Sequence, residues 1–174
     1  MEAGIYLAVL DLMNVDEDSL NRLKSGKTIL DAAALKDGPD QAYRDRFKVE
    51  TRLVAGRKVF VTKPMSGEAR CTVFFLHGGA YSVGFNASHW DWMAFLADAG
   101  CRVVAPDYPL PPEAGWEESW AMVEAAWNEE AADAGTSDPV AKMAQDNRGR
   151  RAAPVLMGDS AGGGFALALA QKLA

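Results

Sequence analysis

The stretch "PVLMGDSAGGG" at residues 154–164 joins a short apolar run to a glycine-flanked serine, Ser160. The five residues centred on this serine read G-x-S-x-G, and an apolar segment, "FALALAQKLA" at residues 165–174, follows. One large enzyme class presents its serine nucleophile on a sharp turn of this form, between a strand and a helix. The stretch therefore predicts a strand at 154–158, a helix at 161–173 and a serine placed to attack a substrate.

The small residues beside Ser160 are those that such a turn requires. The turn holds its serine in a strained backbone conformation, so the neighbouring positions must carry little or no side chain. Gly158, Ala161 and Gly162 meet this requirement. The motif alone would occur by chance in roughly 5% of chains of this size. The assignment therefore depends on the apolar strand and helix on either side of the motif.

A second glycine-rich stretch, "FFLHGGAYSVG" at residues 74–84, continues an apolar run that begins at Cys71. Such a run is typical of a strand buried on both faces, here residues 71–76. In acyl transfer, the negative charge that develops on the carbonyl oxygen needs hydrogen-bond donors, and backbone amides can supply them where no side chain blocks the approach. We therefore expect an oxyanion hole formed by the amides of Gly78, Gly79, Ala80 and Ala161.

The order of the other elements predicts an α/β fold, with a mostly parallel sheet covered by helices on both faces. The predicted elements are helices at 5–13 and about 17–35, hairpin strands near 47–54 and 57–62, a strand at 71–76, a helix at 89–100, a strand at 101–108, a helix at 117–135, a polar loop at 136–153, and the strand and helix that flank Ser160.

The composition narrows the class of protein. The chain has 174 residues, of which 49% are hydrophobic, which is enough for one domain with a sizeable core. A net charge of −6 argues against nucleic acid or an anionic membrane as a partner. The amino terminus has neither the basic start of a signal peptide nor an apolar run long enough to cross a membrane. We therefore expect a cytoplasmic protein without a membrane span.

The two cysteines, Cys71 and Cys101, are too few for a disulfide framework, and their spacing resembles no metal site. We expect them to be reduced thiols at the starts of two strands. The sequence also contains no other motif for a metal or cofactor, so we predict none.

Three motifs, in this order, resemble the hormone-sensitive-lipase branch of the α/β-hydrolases. They are "HGGAY" at 77–81, "DYPLPPE" at 107–113 and "GDSAGG" at 158–163. The resemblance covers about residues 45–174, as an incomplete α/β-hydrolase core, and it implies that residues 1–44 form a helical, cap-like segment. It also implies hydrolysis of small carboxylic esters through Ser160, oxyanion amides at the four positions named above, and a homodimer as one option for the full-length form.

The base that should activate Ser160 is missing from the sequence. In this fold the acid and the histidine follow the serine in the chain, yet the 14 residues after Ser160 contain no Asp, Glu or His. Both histidines of the chain, His77 and His89, lie upstream, and we expect them to brace loops. Asp159 is expected to support the oxyanion loop, as it does in the family the chain resembles. Asp107 and Glu113 are expected to fix the loop after strand residues 101–106.

These observations predict the amino-terminal part of a longer esterase, inactive by itself and truncated after the nucleophile helix. Strand 154–158, which belongs in the middle of the complete sheet, would then lie at an apolar edge. The alternative is a non-catalytic protein that binds a small apolar ligand on the same scaffold. Phosphate binding at the glycine-rich turn is disfavoured because the turn lacks a lysine and the spacing of a phosphate-binding loop.

Aromatic residues complete the predictions. Tyr81 and Phe85, just after the oxyanion loop, are candidates for an acyl pocket. The tryptophans are expected to serve mostly in core or helix–sheet packing: Trp90, Trp92, Trp116, Trp120 and Trp127.

Overall fold

The computed structural model describes residues 38–67, 69–133 and 154–174. The helices predicted at 5–13 and 17–35 lie outside the described residues, as does the loop predicted at 136–153. The division of the chain at residue 44 therefore stays a prediction.

Five strands and four helices make up the described residues. The strands are β1 (Phe47–Val54), β2 (Arg57–Pro64), β3 (Cys71–Leu76), β4 (Cys101–Pro106) and β5 (Val155–Gly158). The helices are α1 (Gln41–Arg46), α2 (Ala87–Asp98), α3 (Trp116–Asp133) and α4 (Ala161–Leu173). The hairpin, the later strands and the helices after β3, β4 and β5 all lie within a few residues of their predicted positions.

The five strands form one sheet in the order β1-β2-β4-β3-β5. Strands β3, β4 and β5 are parallel, whereas β2 pairs antiparallel with both β1 and β4. The predicted α/β class is confirmed, and the hairpin makes the sheet mixed. Leu76 and Gly158 are register partners at the carboxyl ends of β3 and β5. The two loops that carry the glycine-rich motifs therefore start side by side.

The core has two halves because side chains alternate across the sheet. On β3, Phe74 and Leu76 pack into one buried cluster together with Trp127 of α3 and residues of α4. Val73 and Phe75 pack on the opposite face, in a cluster that includes residues of α2. Helices on both faces cover β3, which explains its uninterrupted apolar sequence.

The tryptophans divide between core and surface. Trp90 and Trp127 are buried in the core as expected, whereas Trp120 of α3 stacks on Phe165 of α4, a contact between two helices. Trp116, however, is 66% exposed at the start of α3, so the packing role expected for it is wrong. It is the first residue of its helix.

The two cysteines are joined in a disulfide, so the expectation of reduced thiols is wrong. Cys71 and Cys101 are register partners at the starts of β3 and β4, with Cα atoms 4.8 Å apart. Their separation of 30 residues in the chain gave no sign of this contact, because only the pairing of the two strands creates it.

Strand β5 lies at an edge of the sheet formed by the described residues, as predicted. Its first residue, Val155, is 56% exposed, and Leu156 and Met157 are only partly buried. The opposite edge, β1, instead exposes Lys48 and Glu50, charged side chains that discourage pairing with another chain.

An almost buried carboxylate, Glu130 of α3, ties that helix to the sheet. Its two oxygens accept hydrogen bonds from both Nη atoms of Arg102 on β4, and Oε2 lies 2.7 Å from Nη2 of Arg52 on β1. The Arg102 side chain is only 12% exposed, so the pair is shielded from water. Removing one partner of a shielded pair leaves a charge without compensation, which is costly.

We expect Glu130→Gln to lower the free energy of unfolding by about 3 kcal/mol, because Arg102 would lose its carboxylate in a dry environment. Urea unfolding followed by far-UV circular dichroism measures this change. Glu124→Gln is the matched control on the same helix, since its partner Lys172 is 59% exposed and such pairs contribute little. Equal losses in the two variants would contradict this interpretation.

Candidate active site

Ser160 occupies a strained turn between β5 and α4. Its backbone has φ 48° and ψ −118°, a combination that residues with a side chain rarely adopt. The residue is exposed, and within the described part of the chain its hydroxyl makes no hydrogen bond. The turn thus presents a hydroxyl to solvent at the end of the sheet, just before the amino terminus of a helix.

Two glycines make this turn possible. A Cβ at Gly162 would collide with the carbonyl oxygen of Leu76, at the end of the neighbouring strand β3. A Cβ at Gly158 would collide with the backbone of Gly162. The first turn of α4 therefore lies directly against the ends of β3 and β5, and only glycine fits at these two positions.

The loop after β3 is a tight turn with an unusual backbone. Gly79, Ala80 and Tyr81 all have positive φ, at 131°, 51° and 56°. The Gly79 carbonyl accepts hydrogen bonds from the amides of Ser82 and Val83, at 2.9 and 2.8 Å. The amides of Gly79, Ala80 and Tyr81 themselves donate to no backbone acceptor among the described residues.

Of the four amides predicted to form an oxyanion hole, one is already engaged. The Gly78 amide donates to Oδ1 of Asp159 at 2.6 Å, so it braces the loop. The amides of Gly79, Ala80 and Ala161 have no acceptor among the described residues. Three of the four predicted donors therefore remain available to a ligand.

Asp159 joins the turn around Ser160 to the loop after β3. In addition to the Gly78 hydrogen bond, its own amide donates to the Leu76 carbonyl at 3.3 Å. Burial raises the pKa of its carboxyl group, and the hydrogen bond from the Gly78 amide opposes the shift. The expected role of Asp159 in supporting the loop is confirmed by these contacts.

Both histidines are buried and brace loops, as predicted. Nδ1 of His77 lies 2.8 Å from the Gly78 carbonyl, which can only accept, so Nδ1 carries the proton. Nδ1 of His89 accepts from the Asn86 amide at 2.9 Å and completes the cap of α2. Its Nε2 faces Oδ2 of Asp159 at 3.9 Å. No hydrogen bond joins either ring to Ser160 in the described structure.

The histidines are neutral over the whole physiological range. Burial lowers the pKa of His77 to about 4, partly opposed by its hydrogen bond to Gly78. Burial, with a smaller contribution from neighbouring His77, lowers the pKa of His89 to about 3. A neutral imidazole could accept a proton, but both rings are enclosed and directed at structural partners.

The segment after β4 is held in place by contacts that agree with the predicted roles of Asp107 and Glu113. The Asp107 amide donates to the Lys58 carbonyl at 2.9 Å. Glu113 receives Nη1 of Arg57 at 2.6 Å and Nη2 at 3.4 Å. Both contacts fasten the segment to the β1–β2 hairpin.

The sequence analysis missed Tyr108, which supports the loop after β3 from below. Its ring stacks on His77 with centroids 4.2 Å apart, and its hydroxyl donates to the His77 carbonyl. Burial raises the pKa of this phenol, so it stays a donor. Its position in "DYPLPPE" was the available signal, since a tyrosine directly after a buried strand is well placed to reach the next loop.

The two aromatic candidates for an acyl pocket have different environments. Phe85 is only 2% exposed and packs against Phe60 and Trp90 in the core. It borders a cavity of about 670 Å³ whose described lining does not include Ser160. Tyr81 is 51% exposed and lies over α4, with its ring 5.7 Å from that of Phe165. Tyr81 is therefore the stronger candidate of the two.

The adjacent glycines of α4 give a sharp test of the turn. We expect Gly162→Ala to lower the free energy of unfolding by about 2 kcal/mol or more, because the new methyl group overlaps the Leu76 carbonyl. Gly163→Ala is the control, since its Cβ would meet the Gly158 oxygen at 3.4 Å. Alanine there should be neutral or stabilise by up to ~1 kcal/mol. Urea unfolding of both variants measures the difference, and similar effects would contradict the described contact.

The buried histidines predict sensitivity to acid. Because their folded pKa values lie below 6.5, the unfolded chain binds more protons between about pH 6.5 and pH 4, and stability falls as pH falls through this range. Each histidine contributes a slope of up to about 1.4 kcal/mol per pH unit. Asp159, with its raised pKa, acts in the opposite direction. Urea unfolding at pH 7.5, 6 and 5 should show a shallower slope for His89→Gln than for the unaltered chain, and equal slopes would refute this assignment.

Comparison with known proteins agrees with this arrangement. Residues 73–174 match the α/β-hydrolase fold family. The "Putative acetyl-hydrolase LipR" of Mycobacterium tuberculosis is 32% identical over 124 residues, which are 69% of this chain and 35% of that protein.

Solved structures give the same result. An esterase of the bacterial hormone-sensitive lipase family is 28% identical, with a TM-score of 0.52 over 71% of this chain and 37% of that one. The homologue EstE7, from a metagenome library, is 21% identical, with a TM-score of 0.61 over 99% of this chain and 51% of that one. The chain thus spans about a third to a half of the length of these relatives. It belongs to the α/β-hydrolase family, in the hormone-sensitive-lipase branch that its three motifs resemble.

Proposed function

We propose that the chain carries the nucleophile and oxyanion-binding part of a serine carboxylester hydrolase that acts on short-chain esters. The observation that supports this most directly is the exposed Ser160 on a strained turn, with free amides at Gly79, Ala80 and Ala161. The α/β-hydrolase family match supports the reaction class. The expected partner is a small-molecule ester.

In the proposed reaction, Oγ of Ser160 forms a bond to the ester carbonyl carbon while its proton passes to a base. The carbonyl oxygen takes up the negative charge, and the three free amides donate to it. The carbon–oxygen bond to the leaving alcohol then breaks, and the alcohol receives the proton from the base. Water hydrolyses the resulting acyl-enzyme by the same steps, which restores the serine.

We further propose that the acid and the histidine of the triad come from residues that this chain does not contain. Both of its histidines are buried in structural contacts, and Asp159 is held by the Gly78 amide. Without a base, the oxyanion hole and binding alone leave a residual acceleration of about 10³–10⁴ over water. The chain by itself should therefore show negligible turnover.

A binding protein on the same scaffold is the second candidate. It is favoured by the absence of any hydrogen bond from a histidine or carboxylate to the Ser160 hydroxyl in the described residues. On this hypothesis the free amides and exposed Tyr81 bind a small ligand without cleaving it. The two candidates differ in one respect, which is whether Ser160 ever forms an acyl-enzyme.

The cellular location and the oligomeric state of the protein are proposals. No helix within residues 38–67, 69–133 and 154–174 is long and apolar enough to cross a membrane. We propose a cytoplasmic location, and a homodimer for a full-length form.

The decisive experiment compares two lengths of the protein. The 174-residue chain should not hydrolyse p-nitrophenyl butyrate above background, whereas a product of the same gene extended past Ala174 to include an Asp and a later His should. Ser160→Ala in the extended product should reduce kcat by about 10⁴-fold or more. Ser66→Ala, an exposed serine in the bend after β2, is the control and should leave kcat unchanged.

Two outcomes would contradict the proposal. Robust turnover by the 174-residue chain that disappears in Ser160→Ala would show that the base is already present. A stop codon directly after Ala174, with ligand binding but no acyl-enzyme detected by mass spectrometry, would favour the binding protein.

A further inference from the structure

The disulfide between Cys71 and Cys101 links the starts of two parallel strands that are adjacent in the sheet. The chain between the two cysteines contains β3, the whole loop after β3, and α2. The disulfide therefore closes these elements into one covalent ring. Ser160, with β5 and α4, lies outside the ring.

The ring contains several of the contacts that shape the loop after β3, whereas Asp159 and Tyr108, which also hold this loop, lie outside it. His77, the strained residues Gly79 to Tyr81, and the capping box of Asn86 and His89 all lie within it. A closed ring has fewer open conformations than a linear chain, so local opening gains less entropy while the disulfide is intact. The redox state of the two sulfurs should thus change the opening of this loop more than that of elements outside the ring.

The disulfide is placed where a reductant can reach it. Both cysteines are half-buried, and they lie at the end of the sheet opposite to Ser160. Arg70 precedes Cys71, and its guanidinium donates to the Ala99 carbonyl and lies over Gly100, directly before Cys101. A positive charge on a residue adjacent to a cysteine favours the thiolate, the form that takes part in thiol–disulfide exchange.

We propose that Cys71–Cys101 is a reversible redox site that controls the local opening of the loop at residues 77–86. A thiolate of an external dithiol attacks one sulfur, and the disulfide bond breaks as a mixed disulfide forms. The second thiol of the reagent then displaces the protein sulfur and closes its own disulfide. The protein gains two electrons and two protons, and the dithiol is oxidised. The redox site itself does not depend on the proposed function. Only an effect of loop opening on catalysis rests on that function, because residues 78–80 would bind the oxyanion.

Hydrogen–deuterium exchange of the 174-residue chain, with and without dithiothreitol, tests this proposal. Reduction should add two mass units and raise the exchange rates of amides in residues 77–98 about tenfold or more. Peptides from the β1–β2 hairpin, which lies outside the ring, should change by less than about twofold. The chain should recover its original pattern after reoxidation.

Serine variants separate the disulfide from other effects of the reductant. Cys71→Ser and Cys101→Ser should each show the fast exchange of the reduced chain, and neither should respond to dithiothreitol. If a serine variant does not fold, Cys71→Ala replaces it.

Three results would overturn the proposal. One is recovery of two free thiols by alkylation of the denatured, aerobically purified chain. The second is exchange in residues 77–98 that does not respond to reduction. The third is an equal rise over all peptides, which would mean global destabilisation. None of these measurements depends on ester hydrolysis, so an inactive chain that gives the expected exchange pattern supports this site and leaves the proposed function to its own test.

Discussion

The contact between Gly162 and the carbonyl oxygen of Leu76 is the constraint on which the rest of the site depends. It lets the first turn of α4 lie against the end of β3, and this position forces Ser160 into its strained conformation. Because the contact is between backbone groups, it leaves no freedom for a side chain to adjust. The position of the serine relative to the loop after β3 is therefore set by steric exclusion.

Asp159 holds the loop after β3 against the turn that carries Ser160. Its carboxylate takes the Gly78 amide, and its own amide donates to Leu76, so the two motifs are linked across 81 residues of chain. Burial destabilises the charged form of this carboxylate, and the hydrogen bond from the Gly78 amide offsets part of that effect. With Gly78 engaged, the loop after β3 still offers the amides of Gly79 and Ala80 to a ligand, beside the Ala161 amide of α4.

The side chains that pack against the loop after β3 are aromatic and uncharged. The rings of His77, Tyr108, Phe85 and His89 pack together, and the two histidines stay uncharged because burial penalises their charged forms. A charged imidazole here would have to give up its solvation with little compensation, because the Asp159 oxygen that faces Nε2 of His89 is 3.9 Å away, too far for a hydrogen bond. The same burial that makes these residues good supports makes them poor bases for Ser160. The burial of His77 and His89 thus has two consequences: both rings stay neutral, and neither serves as the base for Ser160.

The amino-acid sequence by itself determined the hairpin, the buried strands and the G-x-S-x-G turn. These features depend on local periodicity and on the small size of residues such as Gly158 and Gly162, which a pattern displays directly. Only the tertiary structure decided the Cys71–Cys101 disulfide, the engagement of the Gly78 amide and the burial of Phe85. Each of these results from which strands and loops become neighbours, and residues 30 or 81 positions apart carry no local sign of that contact. Strand order and register are fixed by burial of the whole sheet, so contacts across it could not be inferred from any single stretch.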